Sequence, residues 1–284
     1  MLKLLEGKRI VEAGHILLGP YATQMLGDFG ADVVKVESLD GDTYRGLGQP
    51  RSRGGMTAQW MAANRNKRSV SLNLKDEEAR EAFLTLIRQS DAFVHNMRPA
   101  ALARMGLDYD SLSKVNPRLV YCAATGFGSS GPYAGRPAVD DAIQGYSGFS
   151  ALQGLHSGTP GLVPVAVADI ICAQMLAQTV LAGMLRAKET GRGCYLETPM
   201  FEAAAGAVLN QHLSGHTFQP PEHGLLYART ASPHRRPVAT KDGWIIHAIY
   251  NFAHWTKFLG AIGRQDVLDG PMMTDRYAMA ANVG

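Results

Sequence analysis

Along the first two-thirds of the chain, short apolar runs alternate with longer stretches of helical period. Arg9-Ile10-Val11-Glu12 predicts a strand. The segment that opens at Gly19-Pro20 and runs through Thr23-Gln24-Met25-Leu26 predicts a helix with proline at an early position, and Asp32-Val33-Val34-Lys35-Val36-Glu37, entered through Gly30-Ala31, predicts a second strand. This is a βαβ unit. Ser69-Val70-Ser71-Leu72-Asn73-Leu74 reads as a further strand, after which Asp76 caps a helix whose apolar positions Ala79, Phe83, Leu86 and Ile87 follow an i, i+4, i+7, i+8 pattern. Residues 92–95 and 119–123 supply two more strands. Strands separated by helices of this length predict an α/β fold, an open and mostly parallel sheet covered by helices, as in a Rossmann-like large domain.

Beyond Gly191 the texture changes. Residues 215–237 are rich in His, Pro, Gly and Arg with little periodicity, and Lys241-Asp242-Gly243 forms a turn feeding the strand Trp244-Ile245-Ile246-His247. The expected division is a large domain over 1–214, then a linker and a smaller α+β domain over 215–284. The chain ends with no closing element that the pattern identifies, and neither an internal repeat nor a low-complexity tract is present in the sequence.

The stretch that organises the rest is Leu162-Val163-Pro164-Val165-Ala166-Val167-Ala168-Asp169, which runs into residues 170–188 with no proline and one glycine, Gly183. This second part is rich in alanine, leucine and methionine and stops at Gly191 with Arg186 and Lys188 in the last turn. It reads as a buried helix with Asp169 at its N-cap. Asp169 is the only Asp, Glu, Lys or Arg between Asp141 and Arg186. Two compatible accounts of it stand: a capping carboxylate that accepts from first-turn amides, or a half-buried carboxylate that the helix end keeps ionised and therefore nucleophilic.

Composition narrows the class. With 284 residues, 46% hydrophobic and 19% charged, the chain has the make-up of a globular protein with a sizeable core. A formal charge of +3 with scattered Lys and Arg argues against a nucleic-acid partner and leaves an anionic small molecule open. Cys122, Cys172 and Cys194 form no CxxC pair, which argues against a disulfide framework and a thiolate metal site and makes a reducing cytoplasm the expected location. No secretory leader is expected, because Leu4-Leu5 is followed at once by Glu6, Lys8 and Arg9. Residues 162–185 are membrane-like in length, but Pro164, Asp169, Gln174 and Gln178 interrupt them, so a core helix and no membrane partner are expected.

Gly126-Phe127-Gly128-Ser129-Ser130-Gly131 fits the dinucleotide fingerprint and follows a strand. That fingerprint has to open a helix, and Pro132, Gly135 and Pro137 prevent one, so a loop near a site is the better reading. No P-loop, HExxH or GxSxG occurs in the sequence. Among the histidines only His212 and His216, at i, i+4, have ligand-like spacing, and without a third ligand no metal is expected. His15 differs, lying at the carboxyl end of the first strand, the edge of an open α/β sheet where ligands bind.

Several spaced motifs recur in one order: Gly19-Pro20 with Leu26-Gly27-Asp28-Phe29-Gly30-Ala31-Asp32-Val33-Val34-Lys35-Val36-Glu37, Asn66-Lys67-Arg68-Ser69-Val70, Asn96-Met97-Arg98-Pro99, Arg104-Met105-Gly106-Leu107, Asn116-Pro117-Arg118-Leu119-Val120-Tyr121 and Thr190-Gly191-Arg192-Gly193. In this order they resemble the family III CoA-transferases, the CaiB/BaiF family that includes formyl-CoA transferase and the carnitine CoA-transferase. The resemblance covers nearly the whole chain. It implies that Asp169 is the nucleophile. In that mechanism the Asp169 carboxylate attacks an acyl-CoA to give a mixed anhydride, the released thiolate converts this to an aspartyl-CoA thioester, and a carboxylic acid acceptor reverses the cycle. Amides of glycine-rich loops would stabilise the oxyanions, and nothing beyond CoA itself is needed, neither ATP nor metal. The resemblance also implies that His15, Leu72, Lys75, Asn96, Met97, Arg98, Arg104, Asp140 and Met200 line the CoA channel, with Lys75, Arg98 and Arg104 for the phosphates.

Departures from the family pattern sharpen the expectation. Formyl-CoA transferases carry glutamine at Leu17, arginine at Ser38 and a tetraglycine loop with no counterpart between Gly215 and Gly243, so oxalate with formyl-CoA is not the expected pair. The α-methylacyl-CoA racemases of the same fold place a histidine directly before the aspartate aligned with Asp140. Val139 stands there in this chain, and racemisation needs an acid and a base on opposite faces of the α-carbon. A 2-methylacyl-CoA racemase is therefore the lesser alternative. The family's chains continue further, their C-terminal segment returns to complete the large domain, and two subunits interlock as a homodimer. Here that return is expected to be missing, which would uncover apolar surface on the 170–188 helix and keeps a truncated, non-catalytic CoA-binding remnant as the alternative of another class. Donor and acceptor stay open between succinyl-CoA, acetyl-CoA and other acyl-CoAs on one side and a dicarboxylate or carnitine-like acid on the other. His234, Arg235 and Arg236 suit an anionic acceptor or an exposed basic turn equally.

Overall fold

A computed structural model of the chain describes residues 3–49, 51–276 and 279. These fall into two compact units, bounded as 1–150 with 162–207 and as 151–161 with 208–284. The chain runs β1 (Arg9–Ala13), α1 (Leu18–Asp28), β2 (Asp32–Glu37), α2 (Ala58–Asn64), β3 (Lys67–Ser71), α3 (Glu77–Arg88), β4 (Ala92–His95), α4 (Pro99–Arg104), α5 (Tyr109–Val115) and β5 (Val120–Thr125). It continues through α6 (Asp140–Ser147), α7 (Phe149–Ser157), α8 (Val167–Thr190), β6 (Cys194–Pro199) and α9 (Met200–His212).

In the first unit six strands form one sheet in the order β3-β2-β1-β4-β5-β6, and every pairing is parallel. The order reverses between β1 and β4, a switch point that opens a crevice at the carboxyl edge. Each sheet face carries its own core. On one, Ile10, Val33, Val94, Val120 and Cys122 meet Leu18, Leu26, Cys172, Leu176 and Val180 of α1 and α8. On the other, Val11, Val36, Phe93 and Tyr121 meet Phe83, Ile87, Leu102 and Leu112 of α3, α4 and α5. Strands β2 and β4 are buried on both faces and rich in Val or Phe, which is why 32–37 and 92–95 were legible to the residue even though Lys35 and Glu37 interrupt the first.

Other expectations shift. The strand placed at 69–74 lies at Lys67–Ser71, because β3 is an edge strand whose mostly polar and basic residues carry little apolar signal. Asp76 occupies the N-cap position of α3 but makes no cap bond; its carboxylate accepts from Asn73 Nδ2 at 2.9 Å instead. The 170–188 helix starts earlier, at Val167, and ends on Gly191 with φ 68 and its N–H on Ala187 O. Its one glycine, Gly183, is a close approach, since a Cβ there would meet Val120 Cγ1 at 2.5 Å and Leu196 Cδ1 at 2.7 Å. The helix is not buried all round: Met175 and Leu185 are 42% and 59% exposed. It is long and apolar enough to cross a membrane by length and composition, and its buried face packs in the core on β5, β6 and α1.

The second unit contains α10 (Ala228–Ala231), the ribbon of β7 (Val238–Ala239) and β8 (Trp244–Ile245), α11 (Phe252–Ala261) and α12 (Gln265–Leu268). The ribbon is antiparallel and shorter than the strand read at 244–247. Leu259, Met273 and Met279 form its small core with Phe252, Trp255, Val267 and Leu268.

Candidate active site

The carboxyl edge of the sheet is shaped by buried charge. Glu12 lies near the end of β1 and Lys35 beside it on β2, both on the α1/α8 face and both essentially solvent-free. Lys35 Nζ stands 3.2 Å from Glu12 Oε1 and 3.2 Å from Asp42 Oδ2, and it donates to Gly14 O at 2.8 Å. Lys67 Nζ reaches Glu12 Oε2 at 3.1 Å, Pro20 O at 2.7 Å and Asn64 Oδ1 at 2.9 Å. Burial, partly offset by Glu12, pushes the Lys67 ammonium down to about 8. Paired and hydrogen-bonded on all sides, these charges form the kind of cluster that a dry interior tolerates.

The cluster holds the turn after β1. Gly14 N–H donates to Glu12 Oε1 at 2.5 Å, His15 N–H to Asn96 Oδ1 at 2.8 Å and Ile16 N–H to Asp42 Oδ1 at 3.1 Å, while Asn96 Nδ2 donates back to His15 O at 2.9 Å. Three acceptors from three different elements thus fix three consecutive amides. Ile16 is β-branched and sits at φ 63, a conformation that costs about 1–3 kcal/mol and persists only where its surroundings impose it. The segment after β2 is tied to the same place: Glu37 accepts from Asp42 N–H at 2.9 Å and from Arg45 at 2.8 and 2.6 Å. Against the desolvation of burial, the Arg45 guanidinium and the Ser69 hydroxyl hold Glu37 down to about 2.

A cleft of about 190 Å³ opens here, lined by His15, Leu72, Lys75, Met97, Met105 and Ser38 among others. Four of the positions expected to contact CoA therefore come together: His15, Leu72, Lys75 and Met97. Asn96 stands at its back with its amide engaged on the His15 backbone. Lys75, Arg98 and Arg104 are exposed, and among the described residues none of them forms an ion pair. Met200, at the start of α9, is instead packed into the core beside α8.

Asp169 lies at the same edge but not at an N-cap. The N-cap of α8 is Ala166, and Asp169 sits in the first turn. The cap is supplied from outside the helix by Asp140, the first residue of α6, whose Oδ1 accepts from Ala168 N–H at 2.8 Å and Asp169 N–H at 3.0 Å. The first-turn amides that would have kept Asp169 ionised are thus spent on another carboxylate. Burial, and then the Asp140 charge, push the Asp169 carboxyl up to about 7, opposite to the expectation that the helix end holds it ionised. The Asp169 charge in turn raises the Tyr44 hydroxyl, after burial and ahead of Asp42, and contributes with burial and Glu202 to raising Cys172 to about 12. A chain of neighbours therefore runs from the cleft through His15, Ile16, Asp42 and Tyr44 to Asp169.

The 126–138 loop follows β5 with no helix until Asp140. Two of its amides are held by acids, Gly128 N–H on Glu202 Oε1 at 3.0 Å and Ser129 N–H on Glu197 Oε2 at 3.3 Å, the reverse of a phosphate cradle. These amides and those of the 14–16 turn are not free to serve an oxyanion. Val139, 67% exposed beside Asp140, cannot ionise. Among the described residues no group of three His, Cys, Asp or Glu could hold a metal. Sequence reading missed the Glu12–Lys35–Lys67–Asp42 cluster and Tyr44. The available signal was charge inside otherwise apolar parallel strands, Arg9-Ile10-Val11-Glu12-Ala13 and Asp32-Val33-Val34-Lys35-Val36-Glu37.

The sequence model of CoA-transferase family III matches residues 5–283. A succinate–glutarate CoA-transferase of Agrobacterium fabrum is 35% identical over 96% of this chain and 69% of its own length. The β subunit of a succinyl-CoA–L-malate CoA-transferase of Chloroflexus aurantiacus is 34% identical over 98% of this chain and 69% of its own. The crystal structure of a CaiB/BaiF family protein from Brucella suis superposes with a TM-score of 0.83 at 32% identity, covering 98% of this chain and 74% of that one. The chain belongs to CoA-transferase family III. It is an enzyme of CoA transfer, built on the six-stranded parallel α/β fold of that family.

Proposed function

We propose that this enzyme moves CoA between carboxylic acids through covalent Asp169 intermediates. The observation that carries the reading is a half-buried carboxyl at the sheet's ligand-binding edge, raised to about 7 by burial and by Asp140. Such a group is ionised in substantial part at neutral pH yet more basic, and so more nucleophilic, than an ordinary carboxylate. An Asp169 oxygen attacks the donor carbonyl, the C–S bond breaks and the CoA thiolate leaves a mixed anhydride. The thiolate then attacks the aspartyl carbonyl and releases the donor acid, giving an aspartyl-CoA thioester. The acceptor carboxylate repeats both steps in reverse and departs as its CoA thioester. One thioester is exchanged for another, so no external energy source enters.

CoA lies in the cleft of His15, Leu72, Lys75 and Met97, with Lys75, Arg98 and Arg104 facing its phosphates and its thiol end reaching past Ile16 and Tyr44 toward Asp169. Succinyl-CoA as donor and a dicarboxylate as acceptor are the natural pair, given the substrates for which the two similar enzymes are named. The enzyme works in the cytoplasm as a homodimer, as the family resemblance implies. Incubation with succinyl-CoA and hydroxylamine should convert Asp169 to its hydroxamate, read by peptide mass. Asp169→Ala should lose at least about 10⁴-fold in transfer, as expected when a covalent nucleophile is removed, while still binding CoA. An unmodified Asp169 peptide, or a variant with appreciable turnover, would overturn the assignment.

A further inference from the structure

Asp140 does not hold itself in place. Gln144, one helical turn on along α6 and only 1% exposed, donates from Nε2 to Asp140 Oδ2 at 2.6 Å. Its Oε1 accepts from Val163 N–H at 2.8 Å, and Nε2 also faces Val163 O and Val165 O at 3.4 and 3.3 Å. One buried amide thus ties α6 to the segment that leads into α8. Asp140, so oriented, presents its other oxygen to the Ala168 and Asp169 amides. Both Asp140 oxygens accept, so the side chain is held from two sides, by Gln144 and by the first turn of α8.

We infer that Gln144 is a positioning residue for the transfer reaction: it fixes the Asp140 carboxylate as the external cap of α8 and thereby holds the first turn that presents Asp169. This rests on Asp169 being the nucleophile. Had Asp140 been free to turn, its charge would swing away from Asp169 and the α8 amides would be released. The groups that face Asp169 are Asp140 from α6, Tyr44 from the segment after β2 and Cys172 from its own helix, with Asp42 acting on Tyr44 and Glu202 on Cys172. Of these, Asp140 alone both bonds the Asp169 backbone and acts on its carboxyl. Gln144 is its only side-chain hydrogen-bond donor among the described residues.

The test uses the full chain and two variants. Gln144→Met keeps the volume and removes the donor. It should lower kcat at least tenfold, leave the KM for acyl-CoA within about twofold, and move the acidic limb of the kcat/KM profile from near pH 7 toward the ordinary carboxylate range. Gln144→Glu donates to Asp140 only when protonated, so its activity relative to the parent should recover as pH falls, an inversion that a merely structural role does not produce. Should Gln144→Met fail to fold, the pH inversion of Gln144→Glu decides alone. A parent-like pH profile in a folded Gln144→Met, or a Gln144→Glu without recovery at low pH, overturns the inference. Asp169→Asn run in parallel separates the two levels: if it is inactive while Gln144→Met is parent-like, only the positioning role fails, and if it turns over normally, the nucleophile reading itself has failed.

Discussion

Two sets of acids lie at the same edge of the sheet and are treated in opposite ways. Glu12 and Asp42 are fully buried and neutralised by Lys35 and Lys67 at 3.1–3.2 Å, whereas Asp169 is half-buried, has no cation beside it among the described residues, and faces another carboxylate, Asp140. In the first set opposite charges lock one another, and what they fix is backbone: the 14–16 turn with Ile16 at φ 63. In the second, like charges leave one carboxyl able to gain or lose a proton near neutrality. Within a single crevice, compensated charge secures geometry, and uncompensated charge leaves a titratable carboxyl of the kind the proposed mechanism uses.

Removing one partner of the compensated set should give the largest stability effect. Lys35→Met leaves Glu12 and Asp42 sharing only Lys67, and breaking a buried pair from one side costs about 3–5 kcal/mol. For a unit of this size that corresponds to a fall in Tm of about 10 °C, read by thermal unfolding at pH 7.5. A variant as stable as the parent would show that the cluster does not hold the turn.

The uncompensated set should respond with the opposite sign. The folded-state value of Asp169 is raised above its unfolded value, so the molecule is stabilised relative to neutral pH below about pH 4 and loses that contribution as pH rises through about 7. Asp169→Asn should therefore be more stable than the parent at pH 8, by on the order of 2 kcal/mol once solvent access is discounted, and equal to it near pH 4. Denaturant unfolding at the two pH values measures this. A variant less stable at pH 8 would mean that Asp169 has a favourable partner after all, and the contrast between the two sets would collapse.

How much of this was legible in the sequence follows from what each residue is used for. The interior strands 32–37 and 92–95 were plain because β-branched and aromatic residues fill them between clear turn signals, and α8 was plain because its composition and Gly191 mark it. α6 and its Asp140–Gln144 pair were not, since an eight-residue helix with a mixed face leaves little periodic trace. The cap of α8 was misassigned for a related reason. Local pattern offers Asp169 as the nearest acid, whereas the acid that caps comes from about thirty residues upstream, and only the fold brings it there. Of the positions the resemblance named for CoA, the cleft is lined by four, His15, Leu72, Lys75 and Met97. Its supports, Glu12 and Lys35, look like ordinary strand charges until the pairing of β1 with β2 sets them side by side.

The smallest effects should come from the exposed cations, and they test where the crevice begins. Lys75 lines the cleft, and Arg104 precedes Met105 of its wall at the end of α4. Both are solvated, so each contact with a CoA phosphate is worth only about 0.5–1.5 kcal/mol. Lys75→Ala and Arg104→Ala should thus raise the KM for succinyl-CoA about three- to tenfold, leave kcat unchanged, and weaken the salt dependence of binding. Dephospho-CoA thioesters, which lack the 3′-phosphate, divide the work further. A residue that reads this phosphate should lose its effect on KM with the dephospho substrate, whereas one that reads the pyrophosphate should keep it. If neither substitution changes KM with either substrate, CoA does not enter over β3 and β4, and the path through His15 and Tyr44 to Asp169 has to be drawn from another side.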